Sequence, residues 1–379
     1  MDKVYEDSLE LHLKNHGKLE IKSKVPIETR EDLSLAYTPG VGAVSIEIGK
    51  DPSLASEYTL KKNTIAIVSD GSAILGLGNL GPEAAIPVME GKAVLFKRFA
   101  NVDAFPICLA TQDVEEIIET VKRIAPVFGG INLEDISAPR CFEIERRLQA
   151  ELSIPVMHDD QHGTAVVVLA GLINALKVKG LNKETARVVM SGAGAAGMAV
   201  TKLLIKYGFK DITVVDSKSS IYRGRADLTN EKIELSKITN PRNLQGPLTE
   251  VIKGADIFIG VSKAAILNEA MVKSMNPKPI VFALANPIPE IMPDLAIKAG
   301  AFIVATGRSD FPNQINNVLA FPGIFRGALD NNIKQLNDEM FVLAAEGLAA
   351  TVATPNPEMI LPSVFDKTIS STVAKAMRN

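Results

Sequence analysis

The chain has no tryptophan, two cysteines and four histidines in 379 residues. Cys108 and Cys141 stand in no C-x-x-C or Cys/His spacing, which excludes a thiolate zinc site and leaves both expected as buried small hydrophobes. Charge of one sign is scarce too. A formal net charge of -3 offers no broad basic field to hold nucleic acid and no acidic block to act as a solvating tail. The longest apolar run, Ala165 to Leu176, is interrupted by Asn174 and falls short of the ~20 residues a bilayer requires, so a buried helix is expected there. The first ten residues carry Asp2, Glu6, Asp7 and Glu10 and lack the apolar stretch of a signal peptide, which makes a reducing cytoplasm the expected compartment.

What is present is core-forming material: 46% apolar against 22% charged residues, the balance of a globular chain with small-molecule partners and length for two domains. Up to about residue 160 short helical patterns mix with strand-like runs such as Ile65 to Val68 and Ala93 to Phe96. From Arg187 onward the pattern becomes strand, turn, helix, with apolar runs at 187–190, 212–215, 257–259, 280–284 and 302–304. Runs of this kind fit strands buried on both faces of a doubly wound parallel sheet. The expected fold is therefore α/β, with a smaller α/β domain over 1–162 and a Rossmann-like domain over 163–379 whose helical tail packs back. The apolar helix from Thr164 to Val178 would bridge the two.

The pattern G-x-G-x-x-G occurs at Gly76, Gly78 and Gly81 and again at Gly192, Gly194 and Gly197. A dinucleotide site needs a strand feeding the first glycine, a helix opening at the last, and an acid roughly 20 residues on. The second copy has all three: Val188 to Met190, a helix from Ala195 to Tyr207 stopped by Gly208, and Asp216 closing the next strand. There the helix N-terminus can receive a pyrophosphate and Asp216 can bond ribose hydroxyls. The first copy is followed at once by Pro82 and again by Pro87, leaving room for barely two helical turns. Asp216 argues for NAD, since a carboxylate repels a 2′-phosphate, while Lys218, Arg223 and Arg225 just beyond it leave NADP open.

Two acid pairs, Glu134-Asp135 and Asp159-Asp160, each follow an apolar stretch and precede an expected helix. Singly they read as helix-capping residues; together they offer the hard oxygen ligands that Mg²⁺ and Mn²⁺ prefer. His158 and His162 are too few and too badly spaced for zinc and are left out of the ligand set.

Tyr37-Thr38-Pro39-Gly40-Val41-Gly42, Asp70-Gly71 through Gly81 with Lys92 downstream, both acid pairs with Gly163-Thr164, Asn286-Pro287, and Asn316-Asn317 before Phe321-Pro322-Gly323 together resemble the malic enzymes, in their short prokaryotic form. The resemblance implies oxidative decarboxylation of malate to pyruvate. Glu134, Asp135 and Asp160 would hold one Mg²⁺ or Mn²⁺, with Asp159 behind them. Lys92 would be the general base, which calls for a lysine pKa lowered by burial or a neighbouring cation. Tyr37 would be the general acid at C3, and Asn286 and Asn317 would bind substrate carboxylate and position the nicotinamide, with Asn316 a weaker candidate. The resemblance also implies a homodimer in which Tyr37 is lent across subunits. One departure stands out: Ala73 occupies the place of a carboxylate-gripping arginine in the longer enzymes, and Ser72, Lys97, Arg98 or a second subunit would have to replace it. A metal-independent dehydrogenase of amino acids or folates would have no use for both acid pairs, and a catalytically inactive nucleotide sensor would not keep Lys92 and Tyr37.

Overall fold

A computed structural model describes residues 2–378 and contains two parallel sheets. The first, in order β2-β1-β3-β4, uses β1 (Thr64–Ser69), β2 (Asp103–Cys108), β3 (Gly130–Leu133) and β4 (Val156–His158). The second, in order β6-β5-β7-β8-β9, uses β5 (Arg187–Ser191), β6 (Asp211–Val215), β7 (Ile257–Gly260), β8 (Ile280–Ala283) and β9 (Ile303–Thr306). All five strand runs expected after Arg187 are found, and the helix Ala195–Tyr207 ends at a left-handed Gly208 as read from the sequence. In both sheets the second strand lies on one side of the first and the third on the other. Such a reversal opens a crevice beyond the carboxyl ends of the strands, where ligands of α/β proteins bind.

The sequence reading fails on residues 82–100. Ala93 to Phe96, expected as a strand, lies in a 19-residue helix, Pro82–Ala100, that runs straight through Pro87. Pro82 sits in the first turn, where a missing N–H costs nothing. Burial of Ala85, Met89, Lys92, Ala93, Phe96 and Ala100, at helical spacing, outweighs the one hydrogen bond that Pro87 removes. Lys92 is thereby placed on the buried face.

The helix Asp159–Lys179 contains the expected bridge and the expected boundary at 162/163, and residues Ala165 to Leu176 are buried in the core. It is long and apolar enough to cross a membrane by length and composition, but its flanks are covered by protein. Asn174, which breaks the apolar run, donates to the carbonyls of Ala349 and Ile360, both at 2.9 Å, and so anchors the tail. From that tail the helix Phe321–Asp330 returns to the first sheet's side, setting Phe321 and Phe325 edge-on against Phe96 at 4.7 and 5.5 Å. One apolar interior therefore joins strands of both sheets. Cys141 is buried as expected; Cys108, at the end of an edge strand, is only half-buried, and both are free thiols.

The N-terminal segment is different in kind. Helices Arg30–Ala36 and Val41–Lys50 bury no residue, and Leu9 and Ile21 are 74% and 87% exposed.

Candidate active site

Strand register assembles the acids. Leu133 of β3 pairs with His158 of β4, so Glu134 and Asp159, the next residues, emerge side by side at the carboxyl edge of the sheet. Val68 of β1 pairs with Leu133 on the other side, which brings Asp70 to the same edge. Glu134, Asp135 and Asp160 each present an oxygen within 4.8 Å of the others. Asn132 Nδ2 holds Glu134 Oε2 at 2.8 Å, and the Asp135 amide donates to Asp160 Oδ2 at 2.8 Å. Lys92 enters from the helix Pro82–Ala100: its Nζ lies 2.7 Å from Glu134 Oε1, hydrogen-bonds Asp159, and rests 4.3 Å from the ring centre of Phe321. Gly163 is required here, because a Cβ at that position would fall 1.8 Å from Asp159 Oδ1.

The electrostatics follow from burying three carboxylates, with half-buried Asp160 beside them, around one lysine. Burial raises the Glu134 and Asp159 carboxyls, against the pull of Lys92. Burial and then the Asp160 charge push Asp135 up to about 7. For Lys92, burial acts downward, but Asp159, Glu134 and Asp160 outweigh it and leave the ammonium held above its ordinary value. The carboxylates are thus the charges that hold the Lys92 ammonium here, and the lowered lysine expected from the sequence depends on a cation bound at the acid cluster. Asp135 Oδ2 and Asp159 Oδ1 are buried without a hydrogen-bond partner. Unpartnered buried oxygens within an all-oxygen donor set fit a hard divalent cation such as Mg²⁺ or Mn²⁺. Both histidines stay outside that set: His158 Nε2 lies 3.2 Å from Asp160 Oδ2, and His162 is 3.0 Å from buried Glu145 and stacked on Phe341.

At the corresponding edge of the second sheet a cavity of ≈ 680 Å³ is lined by Gly192, Gly194, Asp216, Lys218 and Lys232, with Pro139 reaching in from the first sheet. Gly197 lies behind it, where a Cβ would fall 2.0 Å from the Gly192 carbonyl. Gly192 and Gly197 therefore let helix Ala195–Tyr207 come against β5 as a dinucleotide turn requires, while Gly194, at the helix N-cap, stands in open space. Asp216 lines the cavity, but its carboxylate already accepts from the amides of Lys218 and Ser219, from both terminal nitrogens of Arg225 and from Lys232 Nζ.

Asn286 follows β8 and is exposed; its carbonyl lies 3.2 Å from where a Gly76 Cβ would stand, so the first glycine copy meets the second domain here. Asn317 flanks the acid cluster, its Cβ 3.3 Å from the same point on Gly163. Asn316 caps a short turn, accepting from the Val318 amide. Tyr37 is not brought to the cluster by any contact: it closes helix Arg30–Ala36, is 65% exposed and makes no side-chain hydrogen bond among the described residues. Of the substitutes for Ala73 within this chain, Ser72 and Lys97 are paired elsewhere. Ser72 Oγ bonds Asp70 and the Ser137 amide, Lys97 pairs with Asp103, and Arg98 lines a separate pocket beside Phe365. Arg140 went unnoticed in the sequence. It binds Asp70 at 2.8 Å with its Nε buried and unpartnered, and its position just after the Glu134-Asp135 loop was the available signal.

Fold and site together define a two-domain dinucleotide-fold enzyme with a buried lysine set among carboxylates. Residues 16–149 match the family model for the malic enzyme N-terminal domain and residues 161–379 that for the malic enzyme NAD-binding domain. The chain belongs to the malic enzyme family. It is 56% identical over 375 residues to the bifunctional malic/malolactic enzyme of Bacillus subtilis, covering 98% of this chain and 92% of that one. It is 57% identical over 363 residues to the NAD-dependent malic enzyme of Geobacillus stearothermophilus, covering 95% and 76%. Its structure matches the NAD-dependent malic enzyme of Thermotoga maritima with a TM-score of 0.95 at 50% identity, covering 97% and 98% of the two chains. These matches set aside the amino-acid or folate dehydrogenase and the inactive nucleotide sensor.

Proposed function

We propose that the protein oxidises (S)-malate with NAD and decarboxylates the product to pyruvate and CO2, through enzyme-bound oxaloacetate and enolpyruvate. The observation that carries this reading is Lys92, buried between Glu134 and Asp159 at the edge of a three-carboxylate cluster. Residues 1–162 supply that cluster, and residues 163–379 supply most of the nucleotide cavity, with Ala138, Pro139 and Phe142 closing one side. A divalent cation held by Glu134, Asp135 and Asp160 would supply Lewis-acid stabilisation of negative charge developing on the C2 oxygen.

The chain's own residues do the rest. Lys92 takes the proton of the C2 hydroxyl as hydride leaves C2 for the nicotinamide. To act so it must first shed a proton, and Asp159, in contact with it and outside the three-carboxylate set, is the acceptor. Loss of CO2 leaves enolpyruvate, which needs a proton at C3, and a phenol in a closed site can deliver it. Tyr37 supplies that phenol from a second subunit of a homodimer: it is exposed in this chain, and so is the apolar surface of the N-terminal segment around it. Asn317 beside the cluster and Asn286 against Gly76 hold substrate carboxylate and nicotinamide amide, while Arg140 is bound to Asp70, three residues before Ala73. The glycine turn Gly192, Gly194 and Gly197 receives the pyrophosphate, with Asp216 at the adenosine ribose. The free thiols Cys108 and Cys141 accord with a reducing cytoplasm.

The test is NADH absorbance with malate as substrate, with Mn²⁺ and then with EDTA, on wild type and Asp160→Ala. Turnover is expected with Mn²⁺ only, with the variant needing at least about a hundredfold more metal. Undiminished turnover in EDTA would remove the cation from the mechanism.

A further inference from the structure

Around Asp216 three cations meet two carboxylates, and they are not equally free. Arg225, whose side chain is 6% exposed, is gripped from two sides: Nη1 and Nη2 bind Asp216 at 3.0 and 3.1 Å, and Nε binds Asp227 at 2.7 Å. Its Nη1 also donates to the carbonyls of Ser219 and Ser220, so no part of the guanidinium is left for a ligand. Lys232 is committed to Asp216 Oδ2 at 2.7 Å. Arg223 donates to the Lys237 carbonyl at 2.8 Å and does not line the cavity. Lys218 differs in exposure. Like Lys232 it lines the nucleotide cavity and its ammonium has one partner, Asp227 at 2.7 Å, but its side chain is 67% exposed against 24% for Lys232. Asp227 is itself 41% exposed and does not line the cavity.

An exposed lysine-carboxylate pair is weak, and a phosphate dianion offers a lysine more charge than a carboxylate does. The acid ending the second strand of a dinucleotide fold marks the ribose, and a cation close by is what accommodates a 2′-phosphate there. From this geometry we infer that Lys218 is the contact for the adenosine 2′-phosphate and that Asp227, by competing for the same ammonium, sets the preference of this chain between NAD and NADP. The inference rests on reading the cavity as the nucleotide site. It assigns selectivity to a residue outside the cavity, and to competition for a lysine instead of repulsion by Asp216, whose charge Arg225 and Lys232 already offset.

The experiment uses the intact protein and two probes, AMP and adenosine 2′,5′-bisphosphate, titrated calorimetrically, with NADP and NAD kinetics in parallel. Lys218→Ala is expected to lower the preference for bisphosphate over AMP about tenfold, with the same fall in the NADP to NAD ratio of kcat/KM. Asp227→Asn is expected to raise both ratios about fivefold. In Lys218→Ala/Asp227→Asn the second change should have no further effect on either ratio, which a general loosening of the loop around Arg225 would not reproduce. If wild type binds AMP but Lys218→Ala leaves both ratios where they were, the inference is overturned while the cavity remains the nucleotide site. If neither probe nor NADH binds wild type, the nucleotide reading itself fails.

Discussion

Lys92 and Arg225 are each held by two carboxylates, yet the two clusters are built to different ends. Around Lys92 four carboxylates share one lysine, every group but Asp160 is buried, and two oxygens find no donor. Around Arg225 three cations serve two carboxylates, and Asp216 receives five donors. The contrast appears in proton affinity. Carboxyls of the first cluster are raised by burial, whereas the hydrogen bonds of Arg225 and Lys232 outweigh burial at Asp216 and hold its carboxyl well below the usual range. An unsatisfied buried carboxylate stores free energy that a cation or a reaction can release; a saturated one fixes the backbone around it.

The comparison can be broken at its two centres. Removing the first, with Lys92→Ala, is expected to lower kcat for malate oxidation about a thousandfold, the scale of a lost general base. NADH affinity, measured by fluorescence titration, should stay within about threefold, and a matching loss of both would make Lys92 a structural residue. Removing the second, with Arg225→Ala, leaves two carboxylates facing one another and should cost stability of ~3 kcal/mol in denaturant unfolding. A neutral result there would mean that Lys218 and Lys232 suffice to hold the loop. The smallest effect sharpens the contrast by pH. Asp135 keeps its proton up to about 7 when folded, but an unfolded aspartate releases it near ~4. The folded state therefore binds more protons across that window, and this group's contribution to stability falls as pH rises from 4 toward 7. In EDTA, wild type should lose about 2 °C more of Tm over that range than Asp135→Asn does. Equal slopes would mean that Asp135 ionises normally.

The second glycine turn was legible because its signal is local: strand, Gly192-x-Gly194-x-x-Gly197, helix and Asp216 follow one another along the chain, and the structure keeps each in place. The helix Pro82–Ala100 was not legible. Two prolines are strong local signals, and they were overruled by burial of a face that β1, β2, Phe321 and Phe325 complete from elsewhere in the chain. The site was half legible in the same sense. The acids are adjacent pairs in the sequence, but their convergence depends on β3 and β4 pairing Leu133 with His158.

Residue identities and local spacing alone determined the parallel α/β class, the glycine turn, the acid pairs and the family. Tertiary structure alone decided that Lys92 faces those acids, that Asp216 is saturated while Lys218 is exposed and held by one carboxylate, and that Arg140 stands beside the loop of Ala73. The physical reason is range. Turn and helix chemistry act over a few residues, whereas burial and charge act through space between segments the chain separates by tens of residues or more.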